Sequence, residues 1–418
     1  MEQTDTKHPI VVIGAGAAGL MATIFAATHA QDRPVRLLER TRDGGRKILV
    51  SGGGRCNVLP SEIDLADYNT SSSPNIMRRL LRSWPLHEQR EFFEREVGLQ
   101  LVLEPETGKL FPAGNRAREV RDRLVQLATE RGAEITFNTT VVALVPPAGK
   151  LPWQILHEGG ELTYADSVIL ATGGLSVPKT GSDGTGLRIV ERLGHTLNET
   201  YPALTPLTAE PPKHAHLAGL SLEVRLQAPL ERGRAVTEGG FLFTHRGYSG
   251  PSVLNIAHHA ILSRLRGAGH QPILVQWTEL DDEGWDLALQ EARGQLVTLL
   301  RRHLPNRLAD TILDEAGLDP ETNLAQLRRD DRRRLVELLA EYPLPWTGDE
   351  GYKKAEVTGG GVDLSEIDPR TMESRVHPGL FLCGEILDTF GPIGGYNFYW
   401  AWATGRAAGL GAANRSLT

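Results

Sequence analysis

Three stretches of this chain hold residue types whose spacing suits the binding of phosphates and a polar ring. The first is Gly14-Ala15-Gly16-Ala17-Ala18-Gly19, with Glu39-Arg40 twenty residues beyond its last glycine. A dinucleotide turn needs one glycine to turn tightly and a second to admit a pyrophosphate. It needs a third to bring helix and strand together. Exposed N–H groups and the dipole at a helix start favour the phosphate charge. Glu39 is placed to accept a hydrogen bond from a ribose hydroxyl. The second stretch is the glycine-rich loop Gly44 to Asn57. Its glycines permit φ > 0 and expose N–H groups, while Arg46, Lys47 and Arg55 add cations. Gly45, Ser51, Gly52, Gly53, Cys56 and Asn57 are the further candidate contacts there. Cys56 has no CxxC partner and reads as a small buried filler instead of a redox thiol.

The third stretch is C-terminal. The apolar run Leu380 to Cys383 ends in Gly384-Glu385, and Gly394-Gly395-Tyr396-Asn397 then opens a helix. A carboxylate at Glu385 can hold a polyhydroxy chain such as ribityl. A helix start aimed at a flavin pyrimidine stabilises negative charge near N1 and O2 of the reduced ring. The first fingerprint alone does not separate NAD from FAD. This third element, which an NAD enzyme does not need, favours FAD. Ala171-Thr172-Gly173-Gly174 ends another apolar run and allows close approach of a cofactor.

The elements that position these motifs are legible in outline. Ile10 to Ile13, Val35 to Leu38 and Ser167 to Leu170 read as buried strands, and Leu20 to Ala30 as a helix. Asn75 to Val97 and Arg118 to Arg131 have helical patterns. Ile135 to Val145 is predicted as one strand, with Val142 a further cofactor contact. Trp153 to His157 and Leu162 to Tyr164 read as a hairpin. The fold class expected is α/β, with a discontinuous Rossmann-like domain over residues 1–195 and 345–418. An antiparallel β-barrel insertion is expected over 196–280, completed near 342–355. A helical subdomain is expected over 281–341.

The 418 residues carry a formal charge of −7, which does not indicate a dominant nucleic-acid surface. Residues 286 to 341 hold nine arginines against eleven acids, so the Arg328 to Arg334 run reads as a solvated, ion-paired face. RNA binding there remains an alternative. Two cysteines, far apart, suit a reducing cytosol. The polar first nine residues predict no signal peptide, and no apolar run predicts a membrane span. The expected location is cytoplasmic. No metal site is expected, and the oligomeric state is open.

The blocks quoted above resemble the BaiN/YhiN-type flavoprotein family. So do Phe243 to Pro251, Val357 to Val362 and Thr371 to Ser374. The resemblance implies an FAD-binding Rossmann-like domain with an inserted β-barrel and a helical subdomain, and oxidoreductase activity. Members have been associated with reduction of conjugated carbon–carbon double bonds, amine oxidation and dihydrouridine formation in ribosomal RNA.

A flavin performs hydride chemistry itself, so the protein must position a substrate and move a proton. His245, with an unperturbed pKa near neutrality, and Tyr396, at the flavin-facing helix start, are the candidate proton donors. The expected activity is hydride transfer between flavin N5 and an unsaturated or amine-type small molecule. NAD(P)H is expected as a transient donor, because only one dinucleotide fingerprint is present. The alternatives are an RNA-modifying flavoenzyme of the dihydrouridine synthase type and a flavin-binding redox sensor without turnover.

Overall fold

Ile10–Ile13 is four branched apolar residues, all buried, and forms the centre of a five-stranded parallel sheet. Strands apolar on both faces suit a sheet covered on both sides. Its order in space is Leu380–Leu382, Ser167–Leu170, Ile10–Ile13, Val35–Leu38 and Glu134–Thr136. The structure, a computed structural model, describes residues 8–148, 151–267 and 269–416. The chain runs outward from Ile10–Ile13 on one side and returns to its other side. That leaves a topological switch beside the central strand, where α/β folds bind ligands at the carboxyl ends of the strands.

Helix Ala17–His29 follows the central strand, and the C-terminal helix Tyr396–Asn414 packs along it. Small residues set this contact. A Cβ on Gly405 would overlap Ala18 O, and one on Gly409 would overlap Ala22 O. Both contacts step by four residues in the same direction, so the helices run parallel. Asn75 to Val97 is two helices, Pro74–Arg82 and Leu86–Arg95, because Pro85 cannot continue a helix.

The predicted single strand Ile135 to Val145 is two elements in different sheets. Glu134–Thr136 belongs to the parallel sheet, and Val141–Val145 joins Trp153–His157 and Leu162–Ala165 in an antiparallel one. The break is at Asn138, which takes the left-handed φ of 58°. Asn138 N–H and Thr139 N–H then bond back to Thr41 O and Glu39 O.

The chain divides into two compact units, residues 1–202 with 356–418, and residues 203–355. The second unit holds a seven-stranded antiparallel sheet and the helices Asp282–Glu291, Leu296–His303, Asn306–Ala316 and Arg329–Ala340. The expected closed barrel is not found among the described residues. The outer strands Tyr342–Pro343 and Gly348–Asp349 share no ladder. Pro343 and Pro345 lack N–H donors, so the chain itself crosses the gap. Leu344 N–H bonds Ile273 O on one side, and Thr347 N–H bonds Thr208 O on the other.

Candidate functional site

The sheet register brings the sequence motifs to one level. Ile13 pairs with both Leu38 and Leu170, and Leu170 pairs with Leu382. The residues that follow are Gly14, Glu39, Ala171 and Cys383, so four motifs leave the carboxyl edge of adjacent strands in a single row.

Gly14 has φ 101°, and a Cβ there would stand 2.6 Å from Ala171 O. A Cβ on Gly19 would overlap Gly14 O, whereas nothing lies within 4 Å of one on Gly16. Gly14 and Gly19 thus close the turn, and Gly16 leaves an open backbone face at the start of helix Ala17–His29. Ala15 and Ala18 are buried against this turn. Glu39 is buried, and its two oxygens accept from Ala15 N–H at 2.6 Å and Thr41 N–H at 2.7 Å. A carboxylate has more acceptor positions than these two bonds fill. Arg40 pairs with Asp183 at 2.6 Å. Val142 sits at a register shift of its ladder, which takes its backbone groups out of regular pairing.

The glycine-rich loop folds over this turn. Gly45 N–H donates to Ala15 O at 2.8 Å, and buried Arg121 supports the loop by donating to Asp43 O at 2.9 Å. Arg46 pairs with Asp43 at 3.1 Å. Gly52, Gly53 and Gly54 take φ of 54°, 67° and 87°. Asn57 is half-buried beside Gly52. Arg55 pairs with Glu104 at 2.8 Å and lies 4.2 Å over the Phe111 ring. Ser51 donates to Ile48 O at 2.8 Å. Cys56 is fully buried, and burial pushes its thiol up to about 12, as suits a filler.

Lys47 reaches out of this loop to the far end of the chain. Its ammonium group pairs with Glu385 and donates to Ser176 Oγ at 2.7 Å. Glu385 Oε1 accepts from Ser176 Oγ at 2.5 Å, Thr358 N–H at 3.0 Å and Thr358 Oγ1 at 2.9 Å. Gly173 and Gly174 make room for this cluster, since a Cβ on Gly174 would overlap Thr358 Oγ1. Gly384 is fixed by the C-terminal helix, donating to Thr404 Oγ1 at 3.0 Å and accepting from Trp400 Nε1 at 3.1 Å.

Gly394 and Gly395 have φ of 108° and 105°, and Gly395 caps the C-terminal helix. A Cβ on Gly395 would stand 2.7 Å from the Leu59 carbonyl carbon. Asn397 closes the turn before it, exchanging hydrogen bonds of 2.9 Å with Gly391 N–H and Gly391 O. Tyr396 donates to Asp67 at 3.3 Å, and burial with this neighbouring carboxylate pushes its hydroxyl up to about 12. His245 lies in the second unit, exposed on the turn between strands Arg234–Phe243 and Gly247–Ser249.

The first unit fits FAD on its own geometry. The open face at Gly16 suits a pyrophosphate, and the carboxyl-edge row suits an extended ligand. Thr172 Oγ1 is buried against Gly186, with no hydrogen-bond partner among the described residues. The C-terminal helix starts about eight residues, or 12 Å, ahead of helix Ala17–His29 along their shared direction. Two positive helix ends therefore address the same side of the sheet at two depths.

A match to the family described as "HI0933-like protein Rossmann domain" spans residues 8–411. The chain belongs to this family. It is 34% identical to the ribosomal RNA dihydrouridine synthase of Escherichia coli, over 97% of this chain and 96% of that one. It is 30% identical to the 3-dehydro-bile acid delta(4,6)-reductase of Clostridium scindens, over 97% and 99%. The fold is shared with 3-ketosteroid delta1-dehydrogenase from Sterolibacterium denitrificans at TM-score 0.53 and 12% identity, over 98% and 99% of the chains. The flavocytochrome c3 fumarate reductase shares it at 0.50 and 18%, over 97% and 78%. This family membership makes the chain a Rossmann-type, FAD-binding flavoprotein, and the solved structures share its fold. No helix among the described residues is long and apolar enough to cross a membrane.

Motif spacing gave no sign of several supporting residues. Ser176 and Arg121 lie outside every motif, and Lys109 stands in an ordinary strand pattern. In the second unit, His214 contacts Tyr248 OH at 3.0 Å and Glu315 at 2.9 Å, and Tyr342 OH donates to Glu315 at 2.8 Å. Such networks join residues remote in sequence and have no period to read. The arginine run is ion-paired: Arg328 and Arg334 to Asp331, Arg332 to Asp286, Arg333 to Asp330.

Proposed function

We propose that this chain is an FAD-dependent reductase of a carbon–carbon double bond conjugated to a carbonyl, with uridine in ribosomal RNA as the first substrate class. The observation that carries the flavin reading is the single row of Gly14, Glu39, Ala171 and Cys383 at the carboxyl edge, with two parallel helix starts above it. The substrate reading is supported by the relatives. Dihydrouridine synthesis and delta(4,6) reduction both saturate such a bond, although their substrates differ in size and polarity. That shared chemistry favours an unsaturated substrate over an amine.

When bound, FAD supplies hydride transfer at N5. Gly16 and the start of helix Ala17–His29 would hold the pyrophosphate, Glu39 a ribose hydroxyl, Glu385 the ribityl chain, and Gly394–Gly395 the pyrimidine end. Saturating the double bond adds a hydride to one carbon and a proton to its neighbour. Tyr396 is our first candidate for the proton, since its hydroxyl stands on the first residue of the C-terminal helix, proposed to face the flavin. His245 is the second. NAD(P)H is the proposed donor of electrons, binding transiently in a cytoplasmic enzyme.

The test is anaerobic stopped-flow reoxidation of the reduced holoenzyme by unmodified ribosomal RNA and, separately, by a steroid dienone. Reoxidation by RNA supports the uridine reading, and reoxidation by the dienone alone moves the substrate to the small-molecule class. Neither reacting overturns the reductase assignment. Tyr396→Phe and His245→Ala, compared in the same assay, identify the proton donor by a slowed reoxidation; unchanged rates in both remove them.

A further inference from the structure

The glycine-rich loop and the strand Lys109–Pro112 beside it carry four cations, and three have carboxylate partners within ion-pair distance. Arg46 pairs with Asp43, Lys47 with Glu385 and Arg55 with Glu104. The fourth, Lys109, begins the strand Lys109–Pro112, whose partner across the ladder is Leu59–Pro60. Leu59 also lies against Gly395. This places the Lys109 side chain along the start of the C-terminal helix. A Cβ on Gly394 would stand 3.4 Å from Lys109 Cε and 3.9 Å from its Cγ.

Lys109 is half-buried, and its ammonium group has no hydrogen bond or ion pair among the described residues. Glu104 and Glu356 feel its charge at longer range. Glu104 is already held by Arg55 at 2.8 Å and Thr107 at 2.6 Å. A cation beside the positive end of a helix is unfavourable by itself, because both raise the local potential. Negative charge gathered at that point relieves it: Asp67, which accepts from Tyr396 at the same helix start, supplies part, and the reduced pyrimidine end of a bound flavin would supply more. The pyrophosphate cannot supply it, since its helix start lies about 12 Å further back.

We propose that Lys109 is a positioning residue for flavin electronics: it adds a fixed positive charge to the start of the Tyr396–Asn414 helix and so favours the reduced, negatively charged pyrimidine end of the bound flavin. The proposal deepens the FAD reading and depends on it. Lys47 and Arg55 hold loops together through their carboxylates, while Lys109 acts on the cofactor's redox equilibrium.

The experiment equilibrates FAD-loaded wild type, Lys109→Met, Lys109→Gln and Lys109→Arg with a reference dye of known potential, and measures FAD dissociation constants for the four proteins. In Met and Gln variants, the ratio of reduced to oxidised flavin falls about tenfold at a given dye poise, which is ~30 mV for a two-electron couple. Arginine restores most of the ratio. Two neutral variants of different polarity separate loss of charge from loss of fold. FAD taken up by all four proteins with the same equilibrium in each overturns the Lys109 assignment alone. A wild type that takes up no FAD overturns this assignment together with the functional reading.

Discussion

Lys47 and Glu385, 338 positions apart in the chain, are joined in an ion pair at the mouth of the cradle. The pair fastens the glycine-rich loop of the N-terminal part to the turn that follows the last strand of the sheet. The discontinuous first unit is closed at this point, and Ser176 and Thr358 keep the carboxylate aimed.

Lys47→Met leaves Glu385 with its two hydroxyl donors but without its counter-charge. The pair is partly exposed, at 27% and 17%, so its loss costs less than that of a fully buried pair. We expect FAD binding to weaken about tenfold, roughly 1.4 kcal/mol. Titration of apoprotein with FAD, followed by flavin fluorescence, measures this. An unchanged dissociation constant would separate the pair from cofactor binding.

The helix contact that sets the two depths of the site is built on missing side chains. Gly409→Val would drive a branched group into Ala22 O, with Ala26 N and Phe25 Cβ both 3.0 Å from its Cβ. Overpacking of this kind destabilises by about 1–3 kcal/mol, and FAD retention falls with it. Gly159→Ala, where nothing lies within 4 Å of the new Cβ, is the control and stays within about 0.5 kcal/mol of wild type. Urea unfolding of both variants checks the difference.

Glu315 gives the second unit an acid limit. Hydrogen bonds from His214, Lys213 and Tyr342 outweigh burial and hold its carboxyl at about 2, against 4.5 when unfolded. A depressed carboxyl contributes its stability above the unfolded value. That stability, on the order of 3 kcal/mol, is lost as pH falls from about 4.5 towards 2. Glu315→Gln should therefore unfold more easily at pH 6, with a shallower acid dependence below pH 4.5. Circular dichroism melts across this range test it; parallel acid profiles for the two proteins would contradict it.

Cys56 and Cys383 are both buried, and burial raises both thiols. Neither is therefore a thiolate at pH 8, and a thiol-titrating disulfide reagent should label none in the native protein and two in denaturant. Rapid labelling of one native thiol would reopen a redox role for Cys56.

Much of the first unit was legible because its signals are local. The glycine turn, Glu39 and the Gly394–Gly395 helix start each declare themselves within a few residues. The parallel sheet follows from buried apolar runs of the right length. What escaped is long-range or subtractive. Nothing in the run Ile135 to Val145 marks Asn138 as the point where it changes sheets. The barrel expectation failed because strand patterns do not show whether the outer strands meet, and here they share no ladder. Ser176 matters through Lys47, Thr358 and Glu385, and Lys109 through Gly394, all more than a hundred residues away.

The cofactor itself is the central claim, and its release is the most direct measurement. Protein purified and, where needed, incubated with excess FAD, then freed of unbound ligand, should absorb near 450 nm, about where flavins do. Denaturation should liberate about one FAD per chain. A colourless protein that liberates none after that incubation would contradict the account.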